Sequence, residues 1–349
     1  MKLKGYIKAI VLALMTVSGA ESCSKVERVQ DSAKSEIVLS AFGLSKTKGE
    51  VMPTENKFSV YAFYSDCSGQ TKWDTPQAWD AIDPSAPYLD NAAFAYDGAY
   101  WAGYPDPYYW PLDGSLMFAG YCPHEDFANG AITDVELVAN QVDRNPYMHI
   151  KFTQNTTPAQ MVDLLWFDVK DVADGNTVSK TDRSIPIEFK HALSQVSFEF
   201  VDAAEIFYLK SIKIKDCINT SEFYSGVTPG WLPDIDAVAD YVILDVADGA
   251  VNPQLNGWTT PEGEMLHIIP QYLNGVFPSV NGTLDNGLDV VLEIALTDGF
   301  GSEVMTLPLK DYTERWEIGY HYHYTITVTA DPIDFTAPDF EITTRVVTM

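Results

Sequence analysis

The side chains of this sequence that are spaced for covalent or metal chemistry form only incomplete sets. His321 and His323, in Tyr320-His321-Tyr322-His323-Tyr324, lie two residues apart. On an extended strand both imidazoles share one face, within reach of a single metal ion. Without a third identifiable ligand, a solvent-facing or hydrogen-bonded pair is the preferred account, and no metal site is assigned. His191, in Phe189-Lys190-His191-Ala192-Leu193, has no partner in sight as a base and is read as a structural hydrogen-bonding group. Asp285-Asn286-Gly287-Leu288-Asp289 lacks the ligand series and closing Glu of a calcium loop. The signatures G-x-S-x-G, H-E-x-x-H, the P-loop and G-x-G-x-x-G are absent. Two carboxylates suited to glycoside hydrolysis would leave no mark among 49 Asp and Glu residues, so a β-sandwich hydrolase is a distant third reading. No catalytic residue and no cofactor are assigned.

Binding and processing chemistry is better represented. Residues 66–126 interleave aromatic side chains with Pro, Gly and Asp. Flat aromatic faces beside carboxylates suit pyranose rings, which makes Trp73, Trp79 and Trp101 candidate glycan contacts. Trp110 and Phe118 are read as core. Ser45-Lys46-Thr47-Lys48-Gly49 is a short basic segment that a trypsin-like protease can enter if it is exposed, with Lys46 and Lys48 as candidate processing positions. Cys67, Cys122 and Cys217 are odd in number and show neither C-x-x-C nor Cys/His spacing. Buried free thiols are the preferred reading, with one bridge between two of them left open.

The elements that must position these groups are strands. Hydrophobic residues make up 46% and aromatics 13% of the 349 residues, and no long helical periodicity follows the first twenty, so the chain reads as all-β. Its length suits two domains behind a targeting segment. The net charge of -27 repels phosphate backbones and anionic headgroups, which argues against a nucleic-acid partner. Alternation marks strands over 36–44, 57–64, 134–142, 147–152 and 161–169 in the first half. In the second half it marks 204–216, 265–269, a hairpin of 288–297 with 303–309, and 319–330. Residues 184–202 lie between the halves and read as two strands, or one kinked strand, on either side of His191-Ala192-Leu193-Ser194. Asp174-Gly175-Asn176 marks the linker, with the boundary near Asp182.

The first residues carry an address. Lys2, Lys4 and Lys8 precede an apolar run too short to span a bilayer, the pattern of a secretory signal peptide over 1–22. Ser22-Cys23-Ser24 resembles the lipobox of bacterial lipoproteins, in which cleavage leaves Cys23 as a lipidated N-terminus. Residues 23–35 suit a flexible tether. The folded part then divides into 36–182 and 183–349. At the far end Phe340, Ile342, Thr344 and Val346 alternate with Glu341, Thr343, Arg345 and Val347, beyond a prolyl break at Pro332 and Pro338. An extra apolar strand of this kind needs an acceptor, because an unpaired edge aggregates.

Four features in chain order carry a family resemblance: the lipobox; Tyr109-Trp110-Pro111 with Gly114, Leu116, Phe118, Tyr121 and Pro123; Phe189-Lys190-His191-Ala192-Leu193-Ser194-Gln195-Val196; and Ile268-Ile269-Pro270-Gln271 followed by Trp316-Glu317-Ile318-Gly319-Tyr320. Together they resemble the fimbrillin family, the subunits and accessory lipoproteins of type V pili in anaerobic Gram-negative bacteria. The resemblance implies two tandem transthyretin-like β-sandwich domains, export as an outer-membrane lipoprotein bearing palmitate, and head-to-tail assembly with other pilus subunits, reaching a host protein or glycan receptor. It also implies that a protease removes the first strand, here 36–44, and that a C-terminal strand of the next subunit, here within 339–349, fills the groove. Family members are cut after arginine, whereas this chain offers Lys46 and Lys48, and Arg28 precedes the first strand. Either a protease of broader basic specificity acts, or the subunit stays uncut in an anchoring or accessory role. The alternative reading is a non-polymerising outer-membrane lipoprotein that binds glycans through its aromatic surface.

Overall fold

A computed structural model describes residues 35–42, 57–65, 86–111, 115–139, 146–168, 184–202, 207–226, 228–261, 263–279, 282–297, 302–329 and 339–349. Cys23, Lys46, Lys48, Cys67, Trp73 and Trp79 lie outside these residues, as do the expected signal peptide (1–22) and the expected linker (171–183). The described elements are strands and a few short 3-10 turns. The first half holds β1 (Val38–Phe42), β2 (Phe58–Ser65), β3 (Leu89–Tyr96), β4 (Trp101–Gly103), β5 (Ser115–Cys122), β6 (Ile132–Ala139), β7 (Pro146–Thr153) and β8 (Leu165–Asp168). The second begins with β9 (Ile185–Glu188), β10 (Lys190–His191), β11 (Ser194–Asp202), β12 (Tyr208–Ile218), β13 (Thr220–Tyr224), β14 (Gly230–Pro233) and β15 (Val238–Asp245). It ends with β16 (Leu266–Ile268), β17 (Val276–Ser279), β18 (Gly282–Asp285), β19 (Val291–Thr297), β20 (Ser302–Pro308), β21 (Tyr320–Thr329) and β22 (Asp339–Thr348). Among the described residues no helix is long and apolar enough to cross a membrane.

One eight-stranded sheet runs in the order β10-β8-β5-β2-β3-β4-β1-β9. Its two ends are one piece of chain, because only Phe189 separates β9 from β10. Residues 185–188 pair in parallel with β1, and residues 190–191 pair antiparallel with β8, so this one stretch joins both ends of the sheet into a ring. Phe58 sits inside this ring with its centroid 5.0 to 6.2 Å from those of Trp101, Phe189, Phe94 and Phe167. Alternation lets β2 serve two cores. Phe58, Val60 and Ala62 point inward, while Tyr61 and Phe63 point outward against a sheet ordered β14-β13-β7-β6.

The remaining strands build a sandwich. The sheet β16-β11-β21-β22 faces β15-β12-β19-β20 across Val196, Phe198, Phe200, Ile212, Ile214, Leu292, Tyr324 and Ile326. Strands from both sides of residue 182 share sheets: β9 and β10 complete the ring, and β13 and β14 extend β7 and β6. The polar joint in 184–202 is where one chain passes from the ring to the sandwich. Ala192 and Leu193 are both buried there, which breaks the alternation.

Gly120 on β5 shows how tightly the ring is packed. A Cβ at that position would lie 2.2 Å from the Ser59 carbonyl oxygen and 2.3 Å from Phe167 Cε1. Neither backbone nor buried ring can yield cheaply, so Gly120→Ala is expected to destabilise the fold by about 3 kcal/mol. Urea denaturation checks this; unchanged stability would mean that β5 and β8 can separate without loss.

Candidate functional site

β1 is short, yet it holds the ring closed. Ile37 and Leu39 are fully buried, and Val38 and Ser40 are half-buried, as period-two alternation requires. On one side Val38 and Leu39 pair with Ala102 and Trp101. On the other, residues 39–42 pair with residues 185–188. Just ahead of the strand, Ile37 N–H donates to the Tyr108 carbonyl at 2.8 Å, and Trp110 N–H donates to the Ser35 carbonyl at 2.9 Å. Removing β1 would therefore open a slot between β4 and β9, lined by Phe58, Trp101, Ile185 and Ile187, with unpaired backbone groups on both walls.

β22 lies at the opposite end of the molecule's connectivity. All ten of its residues pair antiparallel with β21, from Asp339 opposite Thr329 to Thr348 opposite Tyr320. It is the last strand of its sheet, so its other edge has no strand beside it among the described residues. Phe340 and Ile342 pack against the sandwich core. Thr344 is half-buried, and its hydroxyl oxygen has no hydrogen-bond partner. Val346 belongs to the same alternating set but is 48% exposed, because the strand end runs past the packed core. The expected inward pattern therefore covers Phe340, Ile342 and Thr344 and stops before Val346.

Other sequence candidates fall elsewhere. Trp101 is 3% exposed and stacks within the ring against Phe58 and Tyr96, which corrects its reading as a glycan-contacting surface residue. Its neighbours on the chain explain this: the Asp97–Tyr100 turn starts a strand whose first side chain points inward. Trp110 and Phe118 are core, as expected. Cys122 and Cys217 are buried free thiols, and burial pushes both thiols well above the ordinary value.

The histidines form hydrogen-bonded groups. His321 Nε2 and His323 Nδ1 lie 2.7 and 2.8 Å from Ser197 Oγ, and His323 Nε2 is 3.3 Å from Glu199. Burial, reinforced by His323 and Arg345, lowers the His321 pKa. Among the described residues no three His, Cys, Asp or Glu side chains cluster with metal-holding geometry. His191 does have a partner that sequence spacing could not reveal. Its Nδ1 is 2.9 Å from one oxygen of Asp163, whose other oxygen is 3.4 Å from His267 Nδ1. Burial alone would raise the Asp163 carboxyl, but His267 and His191 outweigh it and hold the group well below the usual carboxylate range. This trio pins the ring to the sandwich.

β1 thus closes one sheet from both sides, and β22 is the last strand of another among the described residues. Among solved structures, the chain resembles a fimbrial protein from Bacteroides vulgatus, with TM-score 0.56 and 14% identity over 90% of this chain and 99% of that one. It also resembles a candidate cell adhesion protein from Bacteroides uniformis, with TM-score 0.52 and 14% identity over the same shares of the two chains. At that identity these likenesses establish the fold. No curated protein matches the chain. Residues 46–345 match the model of the fimbrillin-like family, and the chain belongs to that family.

Proposed function

We propose that this chain is a structural and adhesive subunit of a cell-surface pilus, assembled head to tail by donor-strand exchange. In this reading Cys23 carries lipid at the outer membrane, cleavage at Lys46 or Lys48 frees β1, and β22 of a neighbouring subunit takes its place. Partner subunits supply the contacts along the fibre, and a host protein or glycan is the adhesion target. The observation that carries the reading is β1 itself: a short strand that, with Leu39 and the preceding Ile37 fully buried, pairs with β4 on one side and β9 on the other.

Once β1 is gone the slot offers two walls, pairing two positions on β4 and four on β9, against ten positions on β21, so the gain from exchange lies in side-chain burial rather than in a longer ladder. On its own sheet β22 has one neighbour and leaves Val346 and Val347 largely exposed. In the slot it would have two neighbours, β4 and β9. Each newly buried aliphatic side chain contributes about 2 kcal/mol. The strand must first leave β21, which places a barrier before the gain. This is strand addition to an exposed edge, with alternate side chains giving specificity. Such a contact is heterologous and does not close, as a fibre requires.

Trypsin treatment of the lipid-free protein should convert monomer into a ladder of species on a gel. Deleting 339–349 should abolish the ladder while leaving cleavage intact. Trimmed monomer alone, from the full-length chain, would count against the proposal.

A further inference from the structure

A cleft of about 580 Å³ opens where the ring's outer sheet meets the sandwich, and strand exchange makes no use of it. Its walls include Trp231, Pro233, Pro270, Phe277 and Tyr320, and its rim holds Arg315 and Glu317. The volume falls in the span of small-ligand sites, roughly 300–1,000 Å³. We propose that this cleft binds a neutral oligosaccharide. The proposal supplies a ligand class for the attachment part of the function above and rests on that part, but not on strand exchange.

The rim is rigid. Arg315 donates to the Tyr272 hydroxyl at 2.8 Å and to Glu317 at 2.5 Å, and its guanidinium carbon sits 5.5 Å from the Tyr272 ring centroid. The backbone beneath is fixed as well: the Ser194 hydroxyl donates to the Glu317 carbonyl, and Glu317 N–H donates to the Tyr322 hydroxyl. On the wall, Trp231 Nε1–H donates to the Ala192 carbonyl at 2.7 Å while its ring rests on Phe152 and Phe223. Such groups lose little freedom when a ligand arrives.

The chemistry of the lining selects the ligand. Arg315 and Glu317 neutralise one another, so the rim offers a planar donor and an acceptor side by side with no net charge. An anion would meet Glu317 and a chain of net charge -27, and a cation would meet Arg315. A wholly apolar ligand would strip water from both charges without replacing their hydrogen bonds. A saccharide has an apolar ring face for the Trp231, Pro270 and Tyr320 walls and vicinal hydroxyls that donate and accept at once. The glycan chemistry expected of Trp73, Trp79 and Trp101 would then reside on a different part of the chain.

The test is calorimetric titration of the full chain with maltotriose, cellotriose and diacetylchitobiose, alongside sialyllactose and a proline decapeptide. At least one neutral sugar should bind at millimolar concentration. Arg315→Lys keeps the charge but loses the planar fork, and Tyr320→Ala removes a wall; each should weaken binding about tenfold, with the melting temperature of Arg315→Lys close to that of the parent. Tyr100→Ala, on the ring's far hairpin, should leave binding unchanged. The inference is overturned if no neutral sugar binds, if both cleft variants bind as the parent does, or if the proline peptide is the ligand that binds. Trypsin laddering of Arg315→Lys, expected to match the parent, keeps this outcome separate from strand exchange.

Discussion

Leu39→Ala is expected to destabilise the ring by about 3 kcal/mol and to speed the release of β1 after cleavage. Leu39 is fully buried and pairs with Trp101 on one side and Ile185 on the other. Truncation leaves a cavity among aromatic rings, and packed aromatic side chains collapse poorly into such space. Because Leu39 sits between the two strands that β1 joins, the loss should concentrate locally. The amides of Ile185, Ile187 and Glu188 should exchange with solvent faster, while those of β12 and β19 in the sandwich keep their protection. Val38→Ala, on the same strand but half-buried, should cost under about 1 kcal/mol. Denaturation and hydrogen exchange of the two variants decide the matter: equal effects would mean that β1 is not held by its inward side chains.

Asp163→Ala should be the more damaging of the polar substitutions, by about 3 kcal/mol, because it leaves His191 and His267 facing each other without the carboxylate between them. The sign of the pH dependence follows from the depressed Asp163 pKa. A carboxyl whose folded value lies below its unfolded value, about 3.9, contributes stability that is fully present above the unfolded value and is lost as pH falls through the folded one. The gap in unfolding free energy between the parent and Asp163→Asn should thus persist down to about pH 4 and close only below it. A gap already closed at pH 5 would show that the histidines do not hold the carboxylate in its charged form.

Part of the strand content was legible because alternation is a local signal, whereas β3, β4, β5, β13, β14, β15, β17 and β18 fall outside the expected strands. Ile37 and Leu39, Phe58 and Val60, Val196 and Phe198 all read correctly as inward sets. What alternation cannot express is which sheet a strand joins. Residues 184–202 look like one interrupted strand, but the interruption at Ala192 and Leu193 is a passage between two sheets. β13 and β14 return to the first half's sheet for the same reason, since pairing with β7 is set by tertiary packing. Trp101 was unreadable as core or surface because a single aromatic at the head of a three-residue strand has no period to fix its direction. Asp163 carried no sequence mark either: its partners lie 28 residues away at His191 and 104 residues away at His267, on separate strands.

The central claim is that the slot left by β1 accepts a strand of the 339–349 sequence. Its most direct test uses a chain lacking 339–349, cut with trypsin and freed of the β1 fragment, to which the synthetic 339–349 peptide is added. The account predicts binding at one peptide per chain, a rise in melting temperature, and recovered protection of the 185–188 amides; substituting Phe340 and Ile342 with Asp in the peptide should abolish all three. A cut chain that stays fully protected at 185–188 without peptide, or that ignores the peptide altogether, would contradict it.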